Sequence, residues 1–154
     1  MIRAIHYIED GALILALTSM LVIALLQIVL RNFFDVGLLW IDPFLRILVL
    51  WVAMLGAMVA TREGHHISID VVSRYVPEGI ARYLGVVTSL AAAAICATIA
   101  WTSTEFIRYE YEDGTIAFAS VPTWVCQAIL PIGFAVMALR FFIGAGLQLI
   151  GRER

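Results

Sequence analysis

The chain is 154 residues long, with 62% hydrophobic and 14% charged residues and a formal net charge of -2. Soluble domains carry about 45–50% apolar and about 25% charged residues. The mean hydropathy is +0.96, and the apolar residues are too numerous for one domain of this length to bury in a core. We expect membrane lipid to cover the rest, and the slight negative charge argues against nucleic acid as a partner.

Four apolar stretches predict transmembrane helices, at about 11–30, 43–62, 80–104 and 122–141. A helix needs roughly 20 apolar residues to cross a bilayer. The second stretch reaches this length only if its helix begins at Asp42 and Pro43, because Asp caps helices and Pro suits their first position. The sequence therefore predicts an all-α fold over residues 1–154, an integral membrane bundle of four transmembrane helices.

The distribution of arginine predicts the orientation of this bundle. Four spans place both termini and the 62–79 loop on one side, which carries Arg3, Arg62, Arg74, Arg82, Arg152 and Arg154. The other side carries Arg31, Arg46 and Arg108, and three tryptophans fall at span ends there: Trp40, Trp101 and Trp124. Arginine-rich loops stay in the cytoplasm and tryptophans favour the interface, so we expect both termini to be cytoplasmic.

Charged side chains in the spans indicate whether the chain itself moves ions. No acid lies deep in any predicted span, although a proton-coupled transporter normally needs one there. Arg46 lies one turn into the second helix, where it either pairs with Asp42, reaches the membrane surface or contacts a partner subunit's helix. Arg140 lies about 27 Å along the helix from Pro122, so we expect it at the inner membrane surface.

No residue pattern predicts a catalytic or cofactor site. His65 and His66 are adjacent, so on a helix they point to different faces, and Cys96 and Cys126 lie in other spans. The sequence therefore predicts no metal, no haem and no enzyme. A small drug/proton antiporter would need an acid in mid-membrane, and a four-helix anchor of a respiratory complex would need histidines at depth. This chain has neither the mid-membrane acid nor the deep histidines, but both classes remain alternatives.

Two features predict helix packing and a surface segment. After Gly64, apolar residues at helical spacing predict a short amphipathic segment in the membrane surface, with Ile67, Ile69, Val71, Val72, Tyr75 and Val76 on one face. Small residues recur on the third span at Gly85, Ser89, Ala93 and Ala97, and on the second at Ala53, Gly56, Ala57 and Ala60. Small residues let membrane helices approach closely, within this bundle or against a partner.

Three motifs resemble the small membrane subunit of tripartite ATP-independent periplasmic (TRAP) transporters. They are Trp-Val-Ala-Met-Leu-Gly-Ala at 51–57, Arg-Glu-Gly-His-His-Ile-Ser-Ile-Asp at 62–70, and Val-Pro-Thr-Trp at 121–124 with Leu-Pro-Ile-Gly at 130–133. The family pattern after the second helix matches Arg62, Gly64, His66 and Asp70, which leaves His65 as the variable position. The family often has several acids before the second helix, whereas this chain has only Asp42 there.

The resemblance implies a partner role rather than catalysis. Such a subunit lies in the bacterial inner membrane against a large multi-span transport subunit, which holds the substrate and sodium sites. A periplasmic substrate-binding protein delivers an organic acid, usually a carboxylate. The residues expected to serve the subunit interface or the structural motifs are Asp42, Arg46, Gly56, Arg62, Gly64, His66, Asp70, Pro131 and Gly133.

The predicted outer loop at 105–114 is acidic. It carries Glu105, Glu110, Glu112 and Asp113 against Arg108 alone. The loop is either plain solvated surface or a docking patch for a basic surface of the binding protein, centred on Glu110, Glu112 and Asp113. Complementary charge would mainly raise the encounter rate and would be screened by salt.

Overall fold

The computed structural model describes the backbone of residues 2–35, 37–63 and 78–150, and the side chains of residues 6–35, 37–62 and 83–148. Its elements in chain order are α1 (Ile2–Phe33), α2 (Ile41–Glu63), α3 (Glu78–Asp113), β1 (Ile116–Phe118), β2 (Val121–Pro122), α4 (Thr123–Gln127) and α5 (Ile129–Ile150). The amphipathic surface segment predicted after Gly64 lies outside the described residues.

Four helical stretches within the described residues are long and apolar enough to cross a membrane. They are His6–Phe33, Ile41–Arg62, Tyr83–Asp113 and Thr123–Gln148, the last made of α4 and α5 together. The prediction of an all-α fold with four transmembrane helices is confirmed.

The chain divides into two compact units. One comprises residues 1–56 and 105–129, and the other comprises 57–104 and 130–154. Since the boundaries fall within α2, within α3 and at the start of α5, these helices contribute residues to both units.

The first unit is held at one end by aromatic contacts and a short hairpin. Strands β1 and β2 pair antiparallel, with Ile116 opposite Pro122 and Phe118 opposite Val121. The ring centroid of Phe44 lies 6.1 Å from that of Trp40 and 5.3 Å from that of Phe118. Ile41, at the start of α2, is completely buried. The hairpin and the start of α2 therefore form an ordered end to this unit.

The second unit packs α3 closely against α5. A Cβ added at Gly85 would lie 3.1 Å from Oε1 of Gln148, so a larger residue at position 85 would require the Gln148 side chain to shift slightly. Ser89 and Ala93 are both buried on the same helix face. The first three members of the small-residue series on the third span therefore pack within this chain, whereas its last member, Ala97, is exposed.

The third helix is longer than predicted. Residues 105–113 were expected to form a loop, but α3 continues through them to Asp113. The charged residues end the apolar stretch without ending the helix, because they are compatible with a helical backbone. One pair also supports the helix, since Nε of Arg108 lies 3.4 Å from Oε1 of Glu112 one turn later. The helix ends at Gly114, whose φ of 63° is the left-handed conformation that commonly follows a helix C-terminus.

The fourth predicted helix is interrupted and extends past residue 141. Helix α4 ends at Gln127 and α5 begins at Ile129, just before Pro131. Proline has no N–H to donate to the carbonyl of Gln127, and its ring disfavours regular helix in the preceding turn. Helix α5 then continues to Ile150, ten residues beyond Arg140. Arg140 therefore lies within α5 rather than at its end, and its expected position at the inner membrane surface stays a prediction.

Candidate functional site

One face of α2 is exposed and carries three of the residues predicted to contact a partner. Exposed positions recur along the helix at Asp42, Arg46, Val49, Ala53 and Ala60, with Gly56 partly exposed on the same face. The opposite face buries Met54, Leu55 and Met58. The spacing of three and four residues keeps the exposed positions in one line along the helix. We call this line, from Asp42 to Ala60, the open face of α2.

Asp42 and Arg46 lie at the beginning of the open face. The helix begins at Ile41, and the N–H of Phe44 donates to the carbonyl of Trp40 at 3.2 Å, so Trp40 holds the capping position predicted for Asp42. Asp42 lies instead within the first turn, where the helix dipole favours a negative charge. Among the described residues Arg46 forms no ion pair with Asp42 or with any other acid, so the pairing alternative does not hold.

Gly56 leaves space on the open face. A Cβ added there would meet nothing within 4 Å, and Ala53 one turn earlier is exposed. Packing among the described residues therefore does not require small side chains at these two positions, whereas Gly85 on α3 lies close to the side chain of Gln148. Arg46, which has no ion-pair partner in the described part of the chain, and the small-residue surface are both poorly suited to lipid, where charge is costly and small residues bury little area.

A hydrogen bond joins α2 to the interruption between α4 and α5. Nε1 of Trp51 donates to the backbone carbonyl of Cys126 at 2.9 Å. This contact connects two of the sequence motifs, since Trp51 begins the first and Cys126 follows the Val-Pro-Thr-Trp of the third. Pro131 follows the interruption, and Gly133 is buried two residues later. We therefore assign Pro131 and Gly133 to the shape of the fourth span.

A second contact reaches the end of α2 from α5. The guanidinium of Arg140 donates to the backbone carbonyl of Met58, which also accepts from the hydroxyl of Thr61 at 2.8 Å. Arg62 lies in the last turn of the same helix. Cationic side chains are favourable at a helix C-terminus, where the carbonyls carry partial negative charge. The guanidinium of Arg140 thus links α5 to the last part of α2, and its expected position at the membrane surface stays a prediction.

The acidic residues predicted to dock the binding protein lie on the final turns of α3. Glu112 contacts Arg108, and the carboxylate of Glu110 accepts a hydrogen bond from the hydroxyl of Thr115. Asp113 is exposed. The rings of Tyr111 and Trp124 meet edge to face at 5.6 Å and hold this segment against α4. The acidic group is therefore an ordered helical surface, and two of its carboxylates already have partners within the chain.

The remaining predicted residues follow α2 in the sequence. Gly64, His66 and Asp70 fall outside the described residues, so their roles stay predictions. Among the side chains described, no group of three or more His, Cys, Asp or Glu is arranged to hold a metal ion.

Sequence reasoning missed two contacts that the structure reveals. Trp51 lies in the middle of a span, away from the interfaces where membrane tryptophans collect, and a buried indole N–H usually finds an acceptor. Arg140 interrupts an otherwise apolar stretch and was assigned to the membrane surface. Both residues carried a signal, a polar group inside a span, but only the structure identifies the carbonyl that each one binds.

Comparison with known proteins identifies relatives over most of the chain. Residues 20–150 match the family described as tripartite ATP-independent periplasmic transporters, DctQ component. The C4-dicarboxylate TRAP transporter small permease protein DctQ of Pseudomonas aeruginosa is 29% identical over 107 residues, which are 66% of this chain and 50% of that protein. The ectoine TRAP transporter small permease protein TeaB of Halomonas elongata is 26% identical over 109 residues, 70% of this chain and 56% of that protein.

A third relative has a much longer chain. The sialic acid TRAP transporter permease protein SiaT of Haemophilus influenzae is 33% identical over 73 residues, which are 47% of this chain and 11% of that protein. Against the two small permease proteins, the chain spans about half of the relative's length. The resemblance seen in the motifs is confirmed by the family match. The chain belongs to the family of DctQ components of tripartite ATP-independent periplasmic transporters, as a small membrane permease subunit.

Proposed function

We propose that this chain is the scaffold subunit of a TRAP transporter and contacts a large multi-span permease subunit through the open face of α2. The observation that carries the proposal is the exposed line from Asp42 and Arg46 to Ala53 and Gly56. A helix of the large subunit can approach closely at the small residues. At the membrane surface it can supply an acceptor for Arg46, which removes the cost of leaving that charge against lipid.

The same proposal gives the chain no catalytic step and no substrate site. The large subunit holds the substrate and the sodium ions, and the complex takes up an organic acid, most simply a carboxylate. The name of the Pseudomonas aeruginosa relative, a C4-dicarboxylate transporter protein, is consistent with this class. The complex lies in the bacterial inner membrane with both termini of this chain in the cytoplasm, as the arginine distribution favours.

Co-purification of the two membrane subunits tests the proposed interface. Gly56→Leu should reduce recovery of the large subunit several-fold, because the added side chain fills the space that the partner helix would occupy. Gly11→Leu is the matched control, since a Cβ at Gly11 also meets nothing within 4 Å and that residue lies on α1. Equal recovery of the large subunit with both variants and with wild type would show that the open face is not part of the interface.

Arg46 provides an independent test of the same face. Arg46→Met keeps an unbranched side chain with good helix propensity and removes the charge, so it should weaken assembly without unfolding a helix on whose surface Arg46 is exposed. Arg46→Lys should restore part of the assembly if the partner supplies an acid or a carbonyl. Normal assembly of Arg46→Met would show that the charge contacts lipid headgroups or water instead.

We further propose that the end of α3 helps to dock a periplasmic binding protein. Glu105 and Asp113 are exposed acids with no partner among the described residues, whereas Glu110 and Glu112 are engaged within the chain. Glu105→Lys with Asp113→Lys should therefore raise the binding-protein concentration needed for half-maximal uptake. The change should shrink as salt rises, because exposed charges are screened within about 8–10 Å at physiological ionic strength.

The maximal uptake rate is the control for this docking test. It should change little in the double variant, because docking steers encounter rather than the transport step. Identical dependence on binding-protein concentration at low salt would leave the segment as solvated surface.

A further inference from the structure

The connection between α1 and α2 concentrates large apolar side chains at the surface. Leu39 is 94% exposed, Phe33 76% and Phe34 68%, and Leu38 and Trp40 are also exposed. We call these five residues, Phe33, Phe34, Leu38, Leu39 and Trp40, the apolar turn. Removing apolar surface from water stabilises a protein by about 25 cal/mol per Å², and side chains left in water do not gain this stabilisation. Scattered exposed apolar residues are ordinary, but a group of five within eight positions indicates an interaction surface.

The part of the apolar turn at 38–40 is anchored to the start of α2. The N–H of Ile41 donates to the carbonyl of Leu38 at 3.1 Å, which closes a tight turn with Leu39 and Trp40 at its centre. Ile41 is completely buried and the ring of Trp40 contacts Phe44. The exposure of Leu39 therefore follows from an anchored turn that leaves this side chain projecting.

The position of the turn in the chain identifies what covers it. It connects two helical stretches, His6–Phe33 and Ile41–Arg62, that are each long and apolar enough to cross a membrane. A connection this short remains beside the bilayer surface. Aromatic side chains concentrate at this boundary, and apolar surface lowers its free energy by entering the acyl region beneath the headgroups. Asp35 is the only charged residue described within the connection, so little opposes entry.

We propose that the apolar turn inserts into the lipid interface on the side of the membrane where α1 and α2 are joined. The occupant is phospholipid, at the boundary between headgroups and acyl chains, and the depth is of the order of 5–10 Å, as for interfacial apolar segments. The turn thereby fixes the depth of the first two spans. This membrane contact is independent of the proposed interface with a large subunit.

The contrasting connection between α3 and β1 supplies a matched control. Asp113 lies nine residues beyond Thr104, about 13 Å further along the helix, and is exposed among charged neighbours. A reporter at Asp113 should therefore lie in water while a reporter at Leu39 lies in lipid.

Fluorescence quenching in nanodiscs tests the proposal. Leu39→Cys and Asp113→Cys would each be labelled with an environment-sensitive fluorophore, in a chain that also carries Cys96→Ala and Cys126→Ala. The small subunit alone is reconstituted in phospholipid nanodiscs. We expect phospholipid with a nitroxide high on its acyl chain to quench the label at Leu39 several-fold more than the label at Asp113. Aqueous iodide should show the reverse order.

Two results would overturn the proposal. Iodide quenching at Leu39 as strong as at Asp113 would place the turn in water. Protection of the Leu39 label only after the large permease subunit is added would identify a protein contact instead of lipid. If Leu39→Cys does not reconstitute, Phe34→Cys reports on the same surface and is judged by the same two results.

Discussion

The hydrogen bond from Trp51 to the carbonyl of Cys126 should contribute measurably to the stability of the isolated subunit. Replacing Trp51 with benzothienylalanine keeps the size and shape of the ring but removes the N–H. The acceptor lies beside the interruption between α4 and α5, where Pro131 has already removed one backbone donor. The variant therefore leaves a carbonyl in a membrane span with one donor fewer.

The expected loss is about 0.5–1.5 kcal/mol, the usual net contribution of one hydrogen bond. Interhelical hydrogen bonds in membrane proteins average about 0.6 kcal/mol, at the lower end of this range. For a chain of this size about 1 kcal/mol lowers the midpoint of thermal unfolding by roughly 2–4 °C. Trp51→Ala should cost more, because Trp51 is partly buried and this substitution also removes the packing contacts of the ring.

Thermal unfolding of the purified subunit in a mild detergent, followed by circular dichroism, measures the change. The same replacement at Trp101 is the control, since that ring is 72% exposed and no hydrogen bond from its N–H is seen in the described structure. A midpoint for the Trp51 variant equal to that of wild type would refute the assignment of this contact as a stabilising link between α2 and the fourth span.

Three further results are expected. Arg140→Met should lower the unfolding midpoint more than Arg140→Lys, because it removes the donor to the Met58 carbonyl, and equal midpoints would contradict that role. Gly114→Ala should destabilise by about 1–2 kcal/mol in detergent unfolding, since φ is 63° there, whereas Gly11→Ala within α1 should be neutral or stabilising. Ser73→Cys should react with an impermeant thiol reagent only after spheroplasts are permeabilised, and ready labelling of intact spheroplasts would reverse the orientation.

The extent of the apolar stretches predicted the four spans but not where their helices end. Charged residues in the sequence mark where an apolar, lipid-covered stretch ends, whereas the end of a helix depends on backbone conformation. Residues 105–113 illustrate the difference: their charges indicated a loop, yet the helix continues until Gly114 adopts a left-handed φ. Asp42 and Pro43 both favour the start of a helix, and the sequence predicted that α2 begins there. The helix begins slightly earlier, because the carbonyl of Trp40 already accepts its first backbone hydrogen bond.

The predicted partner-contact residues stay predictions, and their contacts within the chain could not be predicted from the sequence. The exposed position of Arg46 and the open space at Gly56 agree with the expectation of a partner-facing helix. The distinction between the two small-residue series required coordinates, since Gly85 and Gly56 occur in similar sequence patterns and differ only in what lies beside them. The same holds for Glu110 and Glu112, whose partners Thr115 and Arg108 are evident only in the folded chain.

The family match decides between the classes that the sequence left open. A drug/proton antiporter and a respiratory anchor were alternatives as long as only span number and polar residues were considered. Residues 20–150 match the small TRAP subunit along nearly the whole membrane region. Neither alternative accounts for that match.

Photo-crosslinking from the open face of α2 tests the central proposal most directly. A photoreactive amino acid would replace Ala53, which is exposed on that face, and Met54, which is buried beside it, in cells that also produce the large permease subunit. Our account predicts a covalent adduct with the large permease from position 53 and none from position 54. Adducts with lipid alone from position 53 would contradict it.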